Sequence, residues 1–198
     1  MANADRDTIT VVSGLPRSGT SMMMRVLASA GLSIFTDGVR AADEDTPRGY
    51  FEFERVRKLE TDKTWVPQAR GTVVKVISQL LRHLPAGERY RVVFMRRAMA
   101  EVLASQREML IRRGQPADPA TDARMAEVFA RHLQRTEEWL RAQPGFEVLY
   151  VDYNAVMRDP APEMRRVNRF FGGGLDEGRM VAAVDQSLHR RRSADTAR

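Results

Sequence analysis

Short apolar runs rich in β-branched residues recur along the chain, at Thr8 to Val12, Thr72 to Ile77, Arg91 to Met95 and Glu147 to Val151. Their largely apolar character is the pattern of strands buried on both faces of a parallel sheet. Between these runs the apolar positions change to helical spacing. Thr20 to Ala30 carries Met23, Met24, Leu27 and Ala28, and Met99 to Ile111 carries Val102, Leu103, Met109 and Leu110. Asp122 to Ala142 carries Met125, Val128, Phe129, Leu133 and Leu140, and Pro162 to Phe171 carries Met164, Val167 and Phe171. Such spacing predicts helices with one apolar face. Strands alternating with helices predict an α/β domain of three layers, αβα, around a central parallel sheet. Ligands of such sheets sit beyond the carboxyl ends of the strands, so the residues after each run are the ones to read for chemistry.

Three stretches interrupt the pattern. Asp37 to Tyr50 is polar and reads as a loop, and Gly114 to Thr121 separates two long helices. Gly172-Gly173-Gly174 is expected to stop the preceding helix and to open a looser C-terminal region. With 198 residues, 43% of them hydrophobic and 29% charged, the chain fits one domain over 1–198, with 1–7 and 193–198 expected as disordered tails.

Composition narrows the chemistry. The absence of cysteine excludes disulfides, thiolate metal sites and cysteine nucleophiles, and three histidines make a poor basis for a metal cluster. No metal is expected. The start is polar, without the apolar run of a secretory signal, and no later stretch approaches the roughly 20 apolar residues of a membrane span. A cytoplasmic protein is expected. The net charge of +6 comes from arginine, since the only lysines are Lys58, Lys63 and Lys75. Basic residues are scattered and not interleaved with aromatics, which favours a small phosphorylated ligand over nucleic acid.

The candidate chemistry begins after the first predicted strand, at Ser13-Gly14-Leu15-Pro16-Arg17-Ser18-Gly19-Thr20-Ser21. A glycine-containing loop running into a helix aims backbone N–H groups and the positive end of the helix at one point, where an anion belongs. Gly19 permits close approach, Thr20 and Ser21 offer hydroxyls, and Arg17 offers a permanently charged fork of donors. The spacing is close to the G-x-x-x-x-G-K-[ST] loop of nucleotide hydrolases, but Thr20 stands where that motif has lysine. The departure weakens a small-molecule kinase as the alternative reading.

Pro16-Arg17-Ser18-Gly19-Thr20 resembles the 5′-phosphosulfate loop of sulfotransferases that use 3′-phosphoadenosine 5′-phosphosulfate (PAPS). The arginine form is similar to tyrosylprotein and many bacterial members. Arg91-Val92-Val93-Phe94-Met95-Arg96-Arg97 followed by Ser105 resembles the family's 3′-phosphate element, an arginine at a strand end with a serine eight residues later. Arg97 fits that spacing, and Arg96 does not. Val148 to Tyr153, Arg158-Asp159-Pro160 and Arg169 to Gly172 resemble the family's strand, Asp-Pro turn and closing helix.

The resemblance spans residues 8 to 172. It implies a P-loop nucleotide-binding fold, PAPS as co-substrate with adenosine 3′,5′-bisphosphate (PAP) as product, and a hydroxyl-bearing acceptor, with a homodimer left open. It implies that Pro16, Arg17, Ser18, Gly19, Thr20 and Ser21 hold the 5′-phosphosulfate. Arg97, Ser105 and Arg191, within Arg190-Arg191-Arg192, would hold the 3′-phosphate.

The acceptor side is less complete. Cytosolic members carry a histidine two residues after a lysine at the end of the second strand. Here Lys75 is present and Ile77 stands in the histidine's place. His83 follows Leu80 and Leu81 and reads as a helix-surface histidine. Other members use a carboxylate from the region after the first helix, where this chain offers Asp37, Asp43, Glu44, Asp45 and Glu52. Asp37 and Glu44, following the strand-like Leu32 to Phe35, are taken with Arg17 and Lys75 as the catalytic candidates. The missing histidine keeps a non-catalytic nucleotide-binding module as a further alternative.

Overall fold

A computed structural model describes residues 6–37 and 51–184. Four strands, β1 (Thr8–Gly14), β2 (Val73–Lys75), β3 (Arg89–Arg96) and β4 (Phe146–Asp152), form one all-parallel sheet in the order β2-β1-β3-β4. The helices are α1 (Thr20–Ser29), α2 (Met99–Arg112), α3 (Asp122–Arg141), α4 (Tyr153–Arg158), α5 (Pro160–Phe170) and α6 (Glu177–Ala183). The four predicted strands and four predicted helices are all present, with ends moved by a few residues.

Alternation along each strand divides the core in two, because successive side chains point to opposite faces. Val12, Val93, Met95 and Val151 pack on one face with α1, α5 and α6 through Met23, Met24, Leu27, Met164, Val167 and Met180. Ile9, Val11, Val74, Val92 and Phe94 pack on the other with Leu81, Leu133, Trp139 and Leu140. The result is the expected three-layer αβα arrangement.

Two edges differ from the uniformly buried strands that the apolar runs suggested. β4 is an outer strand, and of its residues only Val151 is fully buried. β2 is reduced to three residues, but its outer side is not bare. Val73 donates to Ser33 O at 2.9 Å and accepts from Phe35 N at 2.8 Å, so the strand-like Leu32 to Phe35 covers that edge through a single bridge at Ile34.

The region after β4 is more helical than the sequence pattern indicated. Asp152, Asp159 and Asp176 accept from Ala155 N, Ala161 N and Arg179 N and so cap α4, α5 and α6. Pro160 occupies the first turn of α5, where its missing N–H costs nothing. Gly172, at φ +84°, ends α5 as expected, with Gly172 N on Arg169 O and Gly173 N on Asn168 O. The described residues beyond these glycines, up to Val184, are regular rather than loose: α6 packs on α1, and Arg25 Nε donates to Ala183 O at 3.1 Å.

The chain passes from β1 to β2 on one side, then returns to β3 on the other. The crevice beyond the carboxyl ends of β1 and β3 is therefore the topological switch point, where ligands of open α/β sheets bind.

Candidate functional site

The loop after β1 sits at that crevice. Ser18 is buried, and both its N–H (3.2 Å) and its hydroxyl (2.7 Å) donate to Leu15 O, which closes the loop on itself. Gly19, at φ +97°, precedes α1 and offers no side-chain cap. The N–H groups of the first turn of α1 have no acceptor within the helix, the geometry of an anion cradle. A Cβ at Gly19 would run into the ring of Tyr153, so both conformation and space demand glycine there. Gly14, at φ +147°, is equally hemmed in, by Ser18 Oγ and Met95 O.

Arg17 has φ +70°, the only described non-glycine residue in the left-handed region. Such backbone persists only where the surroundings hold it. Here they do, through the two residues that the sequence paired. Arg17 Nε donates to Ser105 Oγ at 3.0 Å, and Arg97 Nη1 donates to Arg17 O at 3.0 Å. Eight residues of helix rise about 12 Å, and Arg17 spans the interval by meeting Arg97 with its carbonyl and Ser105 with its side chain.

Arg97 is fixed from further directions. Its Nε donates to Glu101 Oε2 at 2.9 Å, one turn along α2, and its guanidinium lies 4.4 Å from the centre of the Tyr153 ring. Glu101 accepts a second bond from Asn154 Nδ2 at 2.8 Å, while Asn154 Oδ1 accepts from Ala98 N at 3.2 Å. Arg97 Nη2 makes no hydrogen bond among the described residues. Burial pushes the Tyr153 phenol up from its ordinary value, against the opposing pull of Arg97 and neighbouring arginines, so it remains protonated near neutrality.

Arg96 is separate from this network. It pairs with Glu137 (2.6 and 3.0 Å) and lies over Tyr150, in agreement with the sequence spacing that set it aside.

On the β2 side, Lys75 Nζ donates to Ser21 Oγ at 3.1 Å and to Glu52 Oε1 at 3.3 Å. Lys75 thus joins the first turn of α1 to a carboxylate from the segment after α1. That carboxylate is Glu52, which the sequence offered but did not favour. Its place results from its neighbours: Phe51 packs into the α1-side core, whereas Phe53 meets Phe35 and Trp65 across the sheet, at 4.7 and 5.2 Å between ring centres. An acid flanked by two aromatics was the signal available in the sequence.

Asp37 is exposed and supports this segment. Its Oδ2 accepts from Glu54 N at 2.6 Å, and the neighbouring Thr36 Oγ1 donates to Glu52 O at 2.8 Å. Glu44 and Arg191 lie outside the described residues. Pro16 is exposed at the tip of the loop, and Thr20 is buried beneath it. His83 is half-buried at the end of the 3₁₀ turn Ser78–His83. The residues that sequence reasoning missed are Glu101, Tyr153 and Asn154. Only Glu101, four residues past Arg97 on a helix, had a local signature.

The geometry can be set beside known proteins. The profile of the sulfotransferase domain matches residues 7–195. Among solved structures, the chain is similar to the sulfotransferase domain from the Synechococcus PCC 7002 olefin synthase, at TM-score 0.55 and 15% identity, with 95% of this chain and 82% of that one covered. It is also similar to the sulfotransferase domain from the curacin biosynthetic pathway, at TM-score 0.51 and 14% identity, with 90% and 78% covered. At such identities these structures speak for the fold alone. No curated protein matches the sequence. The profile covers nearly the whole chain, from the strand before the phosphate loop to beyond α6, and on that extent the chain belongs to the sulfotransferase family.

Proposed function

We propose that this sulfotransferase takes its sulfuryl group from PAPS and passes it to a hydroxyl acceptor, with Glu52 as the base on the acceptor side. The observation that carries the donor assignment is the meeting of Arg17 with both Arg97 and Ser105. It supports a reading in which the loop after β1 cradles the 5′-phosphosulfate and the adjacent, buried Arg97 and Ser105 take a second phosphate. A donor without a 3′-phosphate would leave Arg97 Nη2 with no partner.

In this scheme the loop amides and Thr20 and Ser21 hold the phosphosulfate. Arg17 stabilises charge developing on the bridging oxygen as the S–O bond breaks. The acceptor oxygen attacks sulfur in line and its proton passes to Glu52, whose charge Lys75 balances in the resting site. Asp37, in contact with backbone Glu54 N, supports the segment that carries Glu52. Positioning and charge stabilisation supply the rate, without a step that calls for a metal.

The test is thermal-shift titration with PAP, ATP and adenosine 5′-phosphosulfate, repeated on Arg97→Ala and Arg17→Ala. PAP should stabilise the wild-type chain most, by an amount that grows with the logarithm of its concentration once that exceeds Kd, and Arg97→Ala should lose the preference for PAP over the ligand lacking a 3′-phosphate. The absence of any shift with PAP would overturn the donor assignment.

A further inference from the structure

A cavity of about 530 Å³ opens between the 3₁₀ turn Ser78–His83 and α3. It shares no lining residue with the loop site. Its walls belong to the sheet face opposite α1, where Leu81, Leu133 and Trp139 pack. The floor is polar: His132 Nε2 lies 2.9 Å from Ser78 Oγ and 3.4 Å from Thr136 Oγ1, with Ser78 only 2% exposed. The walls are Arg82 from the turn and Arg131 and Arg135 from α3, with Trp139 and the exposed Val128 as apolar surface.

The charge balance of this cavity calls for a partner. Arg131 and Arg135 stand four residues apart on one helix, a spacing at which like charges repel, and Arg82 faces them from the opposite wall. No carboxylate among the described residues lines it. Arg82 and Arg135 have no ion pair among the described residues, and Arg131 reaches only Glu127, outside the lining, at 4.0 Å. Burial and the Arg82 charge also hold His132 below its ordinary value, so the floor is neutral and the surplus positive charge lies on the walls. Guanidinium groups that line a cavity together with an indole provide forked donors for an oxyanion and a flat surface for a ring.

We propose that this cavity is a binding site for a small organic anion bearing an aromatic ring, an aryl carboxylate or aryl phosphate ester. The oxyanion is held by Arg82, Arg131 and Arg135, and the ring lies against Trp139 and Val128. The site is independent of the donor assignment. It adjoins the acceptor side of the protein, because Ser78 follows Lys75 by three residues, at most about 11 Å along an extended chain.

The test is isothermal titration of the full chain with benzoate and with phenyl phosphate, alongside phenol and inorganic phosphate, while tryptophan emission is followed. Trp65 is fully buried, so a ligand in the cavity is reported by Trp139. At least one of the two aryl anions should bind more tightly than phenol or phosphate and should change the emission. The Arg82→Ala/Arg135→Ala double variant should weaken it about tenfold or more, whereas Arg17→Ala should leave it unchanged. Both substituted arginines are exposed, and a circular-dichroism melt checks that the variant is folded. The proposal is overturned if neither aryl anion binds, if the double variant binds as tightly as wild type, or if Arg17→Ala abolishes the binding.

Discussion

Arg97 and Glu101 form a 2.9 Å ion pair whose side chains are only 8% and 4% exposed, and Arg97 Nη1 donates to Arg17 O in the loop after β1 at 3.0 Å. Breaking a buried pair by removing one partner typically costs about 3–5 kcal/mol, because the other charge is left without compensation. Glu101→Ala and Arg97→Ala should therefore both lower stability in urea unfolding. The two positions should part company in ligand binding: Glu101→Gln, which keeps the acceptor oxygen for Arg97, should retain the preference for PAP over adenosine 5′-phosphosulfate, and Arg97→Ala should lose it. Equal responses of the two to PAP would remove Arg97 from the donor site.

Gly19 is the point where loop conformation and ring packing meet. Gly19→Ala places a Cβ against Tyr153 and forces alanine to φ +97°. The backbone component alone is worth about 1–3 kcal/mol. PAP binding should fall sharply in this variant. Adding Tyr153→Ala should recover only part of it, since the ring clash is relieved and the backbone strain is not. Full recovery in the double variant would show that the left-handed conformation is dispensable.

Glu52 and Asp37 can be separated by isosteric changes. Glu52→Gln keeps the volume and removes the base, so turnover should drop by about 10²–10⁴-fold with PAP affinity retained. Asp37→Asn retains an oxygen able to accept from Glu54 N and should be close to wild type. Single-turnover sulfate transfer to a responsive acceptor measures both. The reverse order of losses would return the base role to Asp37.

His132 ties stability to pH. Burial, with a smaller contribution from Arg82, lowers its value in the folded chain below the ordinary 6.5. The unfolded chain then binds more protons in the window between the two values, so stability rises with pH across it. The contribution is complete above 6.5, declines as pH falls below it and is gone beneath the folded-state value. In denaturant titrations between about pH 7 and pH 5, His132→Gln should show a shallower loss of stability than wild type. Identical slopes would mean that the imidazole does not titrate between the two states.

The sequence by itself determined the order of strands and helices, because apolar periodicity follows from backbone geometry, whatever the elements later pack against. It also determined the phosphate loop, since Gly19 and the start of α1 are neighbours in the chain and an anion cradle is local. The Arg97–Ser105 pair was legible only through the resemblance to the family's 3′-phosphate element, since an arginine and a serine eight residues apart carry no local signature of their own.

Tertiary structure decided what lies between distant segments. The convergence of Arg97 and Ser105 on Arg17 depends on β1 and β3 being adjacent in the sheet, and Tyr153 reaches Gly19 only because α4 comes directly after the next strand along. The choice of Glu52 over its acidic neighbours required Phe51 and Phe53 to be drawn to opposite cores, and the basic cavity required α3 to meet the turn after β2. A carboxylate or a guanidinium in a linear sequence carries the same charge whether it is solvated or enclosed. Its chemistry is set by the partners and the burial that folding assigns to it.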